Sequence, residues 1–195
     1  MERKTRTAGK KMNFIDRSTS YLVRFIRKNN PDAASEAVLK YSLSLLINTG
    51  LAIFISLSIC TITGHFKFAV ISITYLLILR YVSGGIHLSS SLSCCLLTIF
   101  MIITISHLKY TYSTIGIAFD IFSALVFLIT APNGIKGFSS IKSKYYPLLK
   151  ISSLVLVASN FYLQSSVLST ANIVQAFCTT SFAYHLKDLA ERRKK

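Results

Sequence analysis

The hydrophobic positions of this chain are gathered into six long runs, which polar and basic segments separate. About 20 apolar residues are enough for a helix to cross the hydrocarbon core of a bilayer, so each run predicts a membrane span. The last two runs are rich in Ser, Thr, Asn and Gln, which usually lie where membrane helices pack against one another. The predicted spans are residues 42–62, 65–81, 90–107, 112–131, 147–164 and 168–186.

A shorter pattern precedes the spans, at residues 18–28. Its apolar side chains share one helical face and its basic side chains lie toward the other. This pattern predicts an amphipathic helix, either on the inner leaflet or packed against the ends of the bundle. Asn30 and Pro31 then predict the start of a new helix that continues to residue 62, with Asn30 as its N-cap.

The distribution of charge predicts the topology. With six spans, 20 of the 22 Lys and Arg residues fall on one side of the membrane, and only Lys67 and Lys109 fall on the other. Because basic residues concentrate in cytoplasmic loops, both termini are expected in the cytoplasm.

Composition supports a multi-pass protein of the cell membrane. The chain is 52% hydrophobic with a mean hydropathy of +0.52, yet its net charge is +15. A nucleic-acid-binding protein can be as basic but is rarely as apolar. The basic N-terminus lacks the apolar stretch of a cleaved signal peptide. We therefore expect one all-α integral membrane domain, in which residues 1–30 form a basic cytoplasmic or interfacial segment and residues 31–195 form the helical bundle.

One loop between predicted spans carries candidate chemistry: residues 79–97, LRYVSGGIHLSSSLSCCLL. A cysteine thiol is a poor nucleophile until a base or a positive field makes it a thiolate, and His is the usual base. On one continuous helix, His87 and Cys94 would lie about 10.5 Å apart along the axis. Gly84 and Gly85 break the helix before His87, which allows a turn that folds back on Cys94.

The serines at 89–91 offer N-caps for the next helix, whose positive end would favour a thiolate at Cys94. Cys95 points about 100° away around that helix. Arg80 faces the same loop, where it either binds a carbonyl, carboxylate or oxyanion or extends to the lipid head groups. The plain alternatives are a loop histidine satisfied by backbone groups and a cysteine that merely packs.

Asp120 is an ionisable residue inside the fourth predicted span, which makes it a functional candidate. It either orients His87, lines the cavity, or pairs with another helix, and a structural hydrogen bond is the better interpretation. No second His, Cys or acid lies at ligand spacing from His87, so no metal or other cofactor is predicted.

The segment R-Y-V-S-G-G-I-H, followed by a cysteine seven residues after the histidine, resembles the AgrB family, the accessory gene regulator B membrane peptidases of Gram-positive bacteria. Arg80, Gly84, Gly85, His87 and Cys94 occupy the positions of the family's signature. The resemblance is tight over roughly residues 79–95 and looser elsewhere.

This resemblance implies a membrane-embedded cysteine endopeptidase that faces the cytoplasm. It would cut the C-terminal tail from a small quorum-sensing precursor peptide and promote closure of the remainder into a thiolactone or lactone. The implied partner has an amphipathic leader and an acidic tail. Cys94 would be the nucleophile, His87 its base, and Arg80, Gly84 and Gly85 supporting groups.

Two other classes of function remain open from the residues. A small peptide exporter would suit the Gly-Gly break and the midspan acid, but it would need no reactive thiol. A non-enzymatic membrane partner would tolerate replacement of both His87 and Cys94. The small and polar residues of the last two spans also suit a homodimer.

Overall fold

The computed structural model describes residues 13–86, 88, 90–134 and 143–192, and over these the chain is helical. Gly84 and Asn133 form an isolated bridge, the one extended pairing among the described residues. The helices are α1 (Phe14–Asn29), α2 (Glu36–Ile62), α3 (Phe66–Ser83), α4 (Ser91–His107), α5 (Thr114–Thr130), a 3-10 turn (Ser143–Tyr145), α6 (Tyr146–Leu163), α7 (Ser166–Thr179) and α8 (Ser181–Arg192).

Five predicted spans correspond to helices α2 to α6. Among the described residues, α2, α3 and the continuous segment Ser143–Leu163 are long and apolar enough to cross a membrane, while α4 and α5 are shorter apolar helices. The all-helical prediction is therefore confirmed over the described residues, with three candidate spans and two shorter apolar helices, while the number of six spans and the cytoplasmic side of the termini stay predictions.

The sixth predicted span, residues 168–186, is wrong as a single helix. The chain breaks at Thr180, whose backbone is extended at ψ 150° and whose hydroxyl accepts the Ala183 N–H at 3.3 Å. α7 has 14 residues, which makes it about 21 Å long and shorter than the hydrocarbon core of about 30 Å. It packs against α3, α4, α5 and α6 and is mostly buried. Its polar residues therefore serve the inside of the bundle.

The predicted helix start at Asn30 is also wrong. The backbone N–H of Asn30 donates to the Ile26 carbonyl at 2.8 Å and so closes α1. α2 begins six residues later, where the Ser35 hydroxyl accepts the Val38 N–H at 3.5 Å. A serine with the same capping chemistry thus takes the role assigned to the asparagine.

The amphipathic helix α1 packs against the bundle. Its buried side chains include Ile15 and Val23, and Ile15 forms an apolar cluster with Ala52 of α2 and Cys95 of α4. The face that packs is therefore not the apolar face predicted within residues 18–28, whose Tyr21 and Phe25 are exposed, and the placement of that face on the inner leaflet or against the bundle stays a prediction. The opposite face exposes Phe14, Tyr21 and Phe25 together with basic residues.

Hydrogen bonds identify two ends of the bundle. At the first, here called the loop end, α1 meets the start of α4, and the loop after α3 meets residues 131–134 and the end of α7. At the opposite end, the Thr63 hydroxyl bonds His107 at 2.9 Å, and Lys109 lies over the Phe68 ring. The core between them contains two main apolar clusters centred on α3 and α7.

Candidate active site at the start of α4

Cys94 lies in the first turn of α4, at the loop end. Ser90 is the N-cap with an extended backbone, and its carbonyl accepts the Cys94 N–H at 3.0 Å. One turn further on, the Thr98 hydroxyl donates to the Cys94 carbonyl at 2.9 Å. The thiol is free and half-buried. The predicted position of Cys94 in the first turn of its helix is confirmed.

The adjacent Cys95 has a different environment. It is 1% exposed and packs with Ile15 and Ala52. Two neighbouring thiols therefore differ in access, because the helix turns one toward α1 and α2 and leaves the other partly open. Cys95 behaves as a small apolar core residue.

The loop after α3 depends on its two glycines. Gly84 has φ 74° and ψ −143°, and Gly85 has φ 129°, conformations that L side chains rarely adopt. The Gly85 N–H donates to the Asn133 carbonyl at 2.9 Å, and the Asn133 N–H donates to the Ser83 carbonyl at 3.0 Å. A Cβ on Gly85 would lie 3.3 Å from Gln175 Nε2 and 3.4 Å from the Cys178 carbonyl oxygen. Glycine is thus required here by both backbone conformation and space.

α7 holds the same loop from the other side. Gln175 is fully buried, and its Nε2 donates to the Gly84 carbonyl at 2.6 Å and to the Ser83 hydroxyl at 3.0 Å. The Ile86 N–H donates to the Cys178 carbonyl at 3.0 Å. Sequence reasoning missed this role of α7, although Gln175 in an apolar run was a signal for a packed polar contact.

Arg80 binds the loop as well. Its Nη2 donates to the Ile86 carbonyl at 2.5 Å. The side chain is half-buried and faces the loop, as one of the two predicted alternatives required. Arg80 also borders a cavity of about 30 Å³ between α2, α3 and α4, and Thr98 lies on the same wall as Met101.

His87 lies outside the described residues, as do Ser89 and residues 135–142. Its pairing with Cys94 therefore stays a prediction. Residues on both sides of it are anchored at the loop end: Ile86 by α7 and Ser90 by the Asn13 side-chain amide, which donates to the Ser90 hydroxyl at 3.2 Å.

A polar cluster that sequence reasoning missed surrounds the start of α4. The Ser91 hydroxyl donates to the Asp16 carboxylate of α1 at 3.0 Å and lies 3.0 Å from the Ser44 hydroxyl of α2. Ser90, predicted as a side-chain cap, makes no such cap bond and instead accepts from Asn13. The serine run was a visible signal, but nothing in the local pattern named its distant partners. These contacts link α1, α2 and α4 one turn before Cys94.

Asp120 belongs to a hydrogen-bond network of its own. Its carboxylate is 0% exposed and accepts from the Tyr112 hydroxyl at 2.9 Å and from the side-chain amides of Asn160 at 2.8 Å and Asn172 at 2.9 Å. Asn160 also bonds both backbone groups of the α6–α7 turn at Ser165. This turn and Tyr112 belong to the opposite end of the bundle. The interpretation that Asp120 pairs with other helices agrees with these contacts.

Within the described ranges, no group of three or more His, Cys, Asp or Glu side chains is placed to hold a metal ion. The chemistry that these residues offer is that of a thiol, backbone groups and one guanidinium, gathered at the loop end.

Comparison with known proteins gives one result. The family model AgrB, described as Accessory gene regulator B, matches residues 19–186, which is most of the chain. No curated protein and no solved structure matches the chain.

Proposed function

Because the chain belongs to the accessory gene regulator B family, which is involved in processing an autoinducer propeptide, we propose that it is the cysteine endopeptidase of that step. It cuts the C-terminal tail from the precursor through an acyl-enzyme on Cys94 and promotes ring closure. The observation that carries the proposal is the free, half-buried thiol in the first turn of α4, which follows a loop shaped by two glycines with positive φ and bonded by Arg80.

The first half of the reaction makes the acyl-enzyme. His87 takes the proton of the Cys94 thiol, and the thiolate attacks the scissile carbonyl carbon. The tetrahedral intermediate collapses as the C–N bond breaks. The proton passes from His87 to the leaving amine, so the tail departs with a neutral amino group and the rest of the precursor stays on Cys94 as a thioester.

The second half releases the product. An internal thiol or hydroxyl of the precursor loses its proton to His87 and attacks the thioester carbonyl, which frees Cys94 and closes the ring. Exchange of one thioester for another is nearly balanced in free energy, whereas formation of a thioester from a peptide bond is uphill. Removal of the released tail would therefore draw the whole process forward. A half-buried site at a helix end suits this chemistry because it limits hydrolysis.

Arg80 acts as a positioning residue in this scheme. Its bond to the Ile86 carbonyl fixes the residue that immediately precedes His87, and Gly84 and Gly85 set the course of the chain toward it. The remaining N–H groups of the guanidinium are available to a substrate carbonyl or carboxylate. Asp120 supports the fold at a distance through its three hydrogen bonds.

The charge distribution supports a cytoplasmic site. The exposed basic residues of α1 belong to the helix that begins at the loop end, whereas Lys67 and Lys109 lie at the opposite end. The positive-inside rule then orients the loop end toward the cytoplasm. The same charge suits a precursor with an acidic tail.

The experiment is co-expression of the cognate precursor with the wild type and with Cys94→Ala, Cys94→Ser, His87→Ala and Cys95→Ala variants. Tail release is measured per amount of protein in the membrane. We expect no release by the first three variants and near-normal release by Cys95→Ala, the matched control one residue away. Normal release by Cys94→Ala would refute the peptidase and favour an exporter or an accessory protein.

A further inference from the structure

A small cavity lies within the bundle, one helical turn from Cys94. Its volume is about 30 Å³, and α2, α3 and α4 each contribute to its walls. Most of its lining is apolar and includes Ile53, Leu76, Leu77 and Met101. Its polar lining includes Arg80 and Thr98.

Thr98 connects this cavity to the proposed nucleophile. It follows Cys94 by one turn on the same face of α4, and its hydroxyl donates to the Cys94 carbonyl at 2.9 Å. Arg80 makes the corresponding connection on α3, since it borders the cavity and bonds the loop that precedes His87. Two residues of the cavity lining thus also bond backbone carbonyls of the candidate site, those of Cys94 and Ile86.

We propose that this cavity is the specificity pocket for the precursor residue whose carbonyl carbon Cys94 attacks, and that it accepts an apolar side chain. This inference rests on the proposed peptidase function. One helical turn is about 5.4 Å, while residues of an extended peptide advance about 3.3 Å each. Only side chains adjacent to the scissile bond can therefore enter the cavity while the carbonyl lies at Cys94.

The lining determines which of the two precursor residues that flank the scissile bond, the one on the acyl side or the first residue of the tail, fits the cavity. Arg80 is the one cation among the described lining residues, and its Nη2 already donates to the Ile86 carbonyl. The rest of the lining is neutral and offers no charge partner to a carboxylate, so an acidic side chain of the tail fits this cavity less well than an apolar one. The residue on the acyl side of the bond remains, and an apolar side chain there gains free energy on leaving water. This side chain would also anchor the acyl group while the internal nucleophile closes the ring.

The size of the cavity adds a limit. A volume of about 30 Å³ has room for roughly two water molecules, so a large side chain enters only if a wall residue moves. Met101 is the wall residue best suited to move, because its side chain is unbranched and flexible. Met101 and Leu77 should therefore set the upper size that the pocket accepts.

The test uses precursors with Ala, Leu, Phe, Trp or Asp at the acyl-side position. Each is co-expressed with the wild type, Met101→Ala and Ile105→Ala, and tail release is measured. Ile105 is the matched control, because it is also buried on α4 but does not line the cavity. We expect the wild type to process apolar precursors at least about tenfold faster than the Asp precursor. Met101→Ala should raise the ratio of tail release from the Trp precursor to that from the Leu precursor by about tenfold, while Ile105→Ala should leave this ratio unchanged.

If Met101→Ala does not accumulate in the membrane, Leu77→Phe tests the same pocket in the opposite direction. The larger side chain at this lining position narrows the cavity, so release from the Phe precursor should fall relative to release from the Ala precursor. If these ratios stay the same in both cavity variants while release still requires Cys94, the cavity is occupied by lipid or is a packing gap. That result would overturn the specificity pocket and leave the peptidase function standing. Release that continues in Cys94→Ala would instead overturn the peptidase.

Discussion

Replacement of Gly85 by alanine should stop precursor processing without removing the protein from the membrane. Gly85 has φ 129°, where an L side chain is strained by about 1–3 kcal/mol. The new Cβ would also lie 3.3 Å from Gln175 Nε2. If Gln175 moves away, its bonds to Ser83 and Gly84 weaken, and each such bond contributes about 1 kcal/mol.

Together these effects disfavour the native loop by about 2–4 kcal/mol. A difference of this size lowers the equilibrium ratio of the native loop conformation to its alternatives by roughly 30- to 700-fold, since each 1.4 kcal/mol is a factor of ten. The strain is local, and the chain can relieve it by moving the loop while the helices stay packed. Processing should therefore fall much further than the amount of protein in the membrane.

The assay is tail release from the co-expressed precursor, divided by the amount of protein in the membrane. Gly50→Ala is the matched control, because Gly50 lies within α2 and a Cβ added there would meet no neighbouring heavy atom within 4 Å. Alanine also favours a helix over glycine. Release by Gly85→Ala within about twofold of the wild type would refute the loop's role, because it would correspond to less than about 0.5 kcal/mol.

Three further predictions concern the surroundings of Cys94 and the core. Ser91→Ala removes the bond to Asp16, so the free energy of unfolding in detergent should fall by about 1–2 kcal/mol and tail release should fall with it. Unchanged values of both would show that this contact contributes to neither stability nor activity. Arg80→Lys keeps the charge but loses the planar donor that reaches Ile86; release should fall at least about tenfold at equal membrane content, and wild-type release would contradict its positioning role. Asp120→Asn replaces an acceptor of three hydrogen bonds, so the free energy of unfolding should fall by about 2–4 kcal/mol. Tail release per folded molecule should stay near normal, and abolition of release would instead support a catalytic role for the Asp120 carboxylate.

Much of the fold follows from the sequence because the apolar runs are long. The spans ending near Ile62, Ser83 and Thr130 agree with helices within a few residues. The division of the last predicted span into α7 and α8 could not be predicted from its hydrophobic pattern. Its polar residues fit both a membrane helix and a buried one, and the break at Thr180 depends on a hydroxyl bonded to the next helix.

The site was predictable in part for a similar reason. Cys94 and the glycine pair stand out because their residue types are unusual between apolar runs. The contacts of Gln175 with Gly84 and of Ser91 with Asp16 join residues 91 and 75 positions apart. Local patterns carry no information on such pairs, since tertiary packing alone decides which hydroxyl or amide meets which partner.

The central claim is that the precursor becomes covalently bound to Cys94. The most direct test is intact-protein and peptide mass spectrometry of the enzyme after co-expression with a precursor whose internal ring-closing nucleophile is replaced by alanine, so that the acyl-enzyme accumulates. We predict a thioester adduct on Cys94 that equals the precursor without its tail, is released by hydroxylamine, and is absent from the His87→Ala variant. A released tail with no adduct at Cys94, or an adduct on Cys95 instead, would contradict the account.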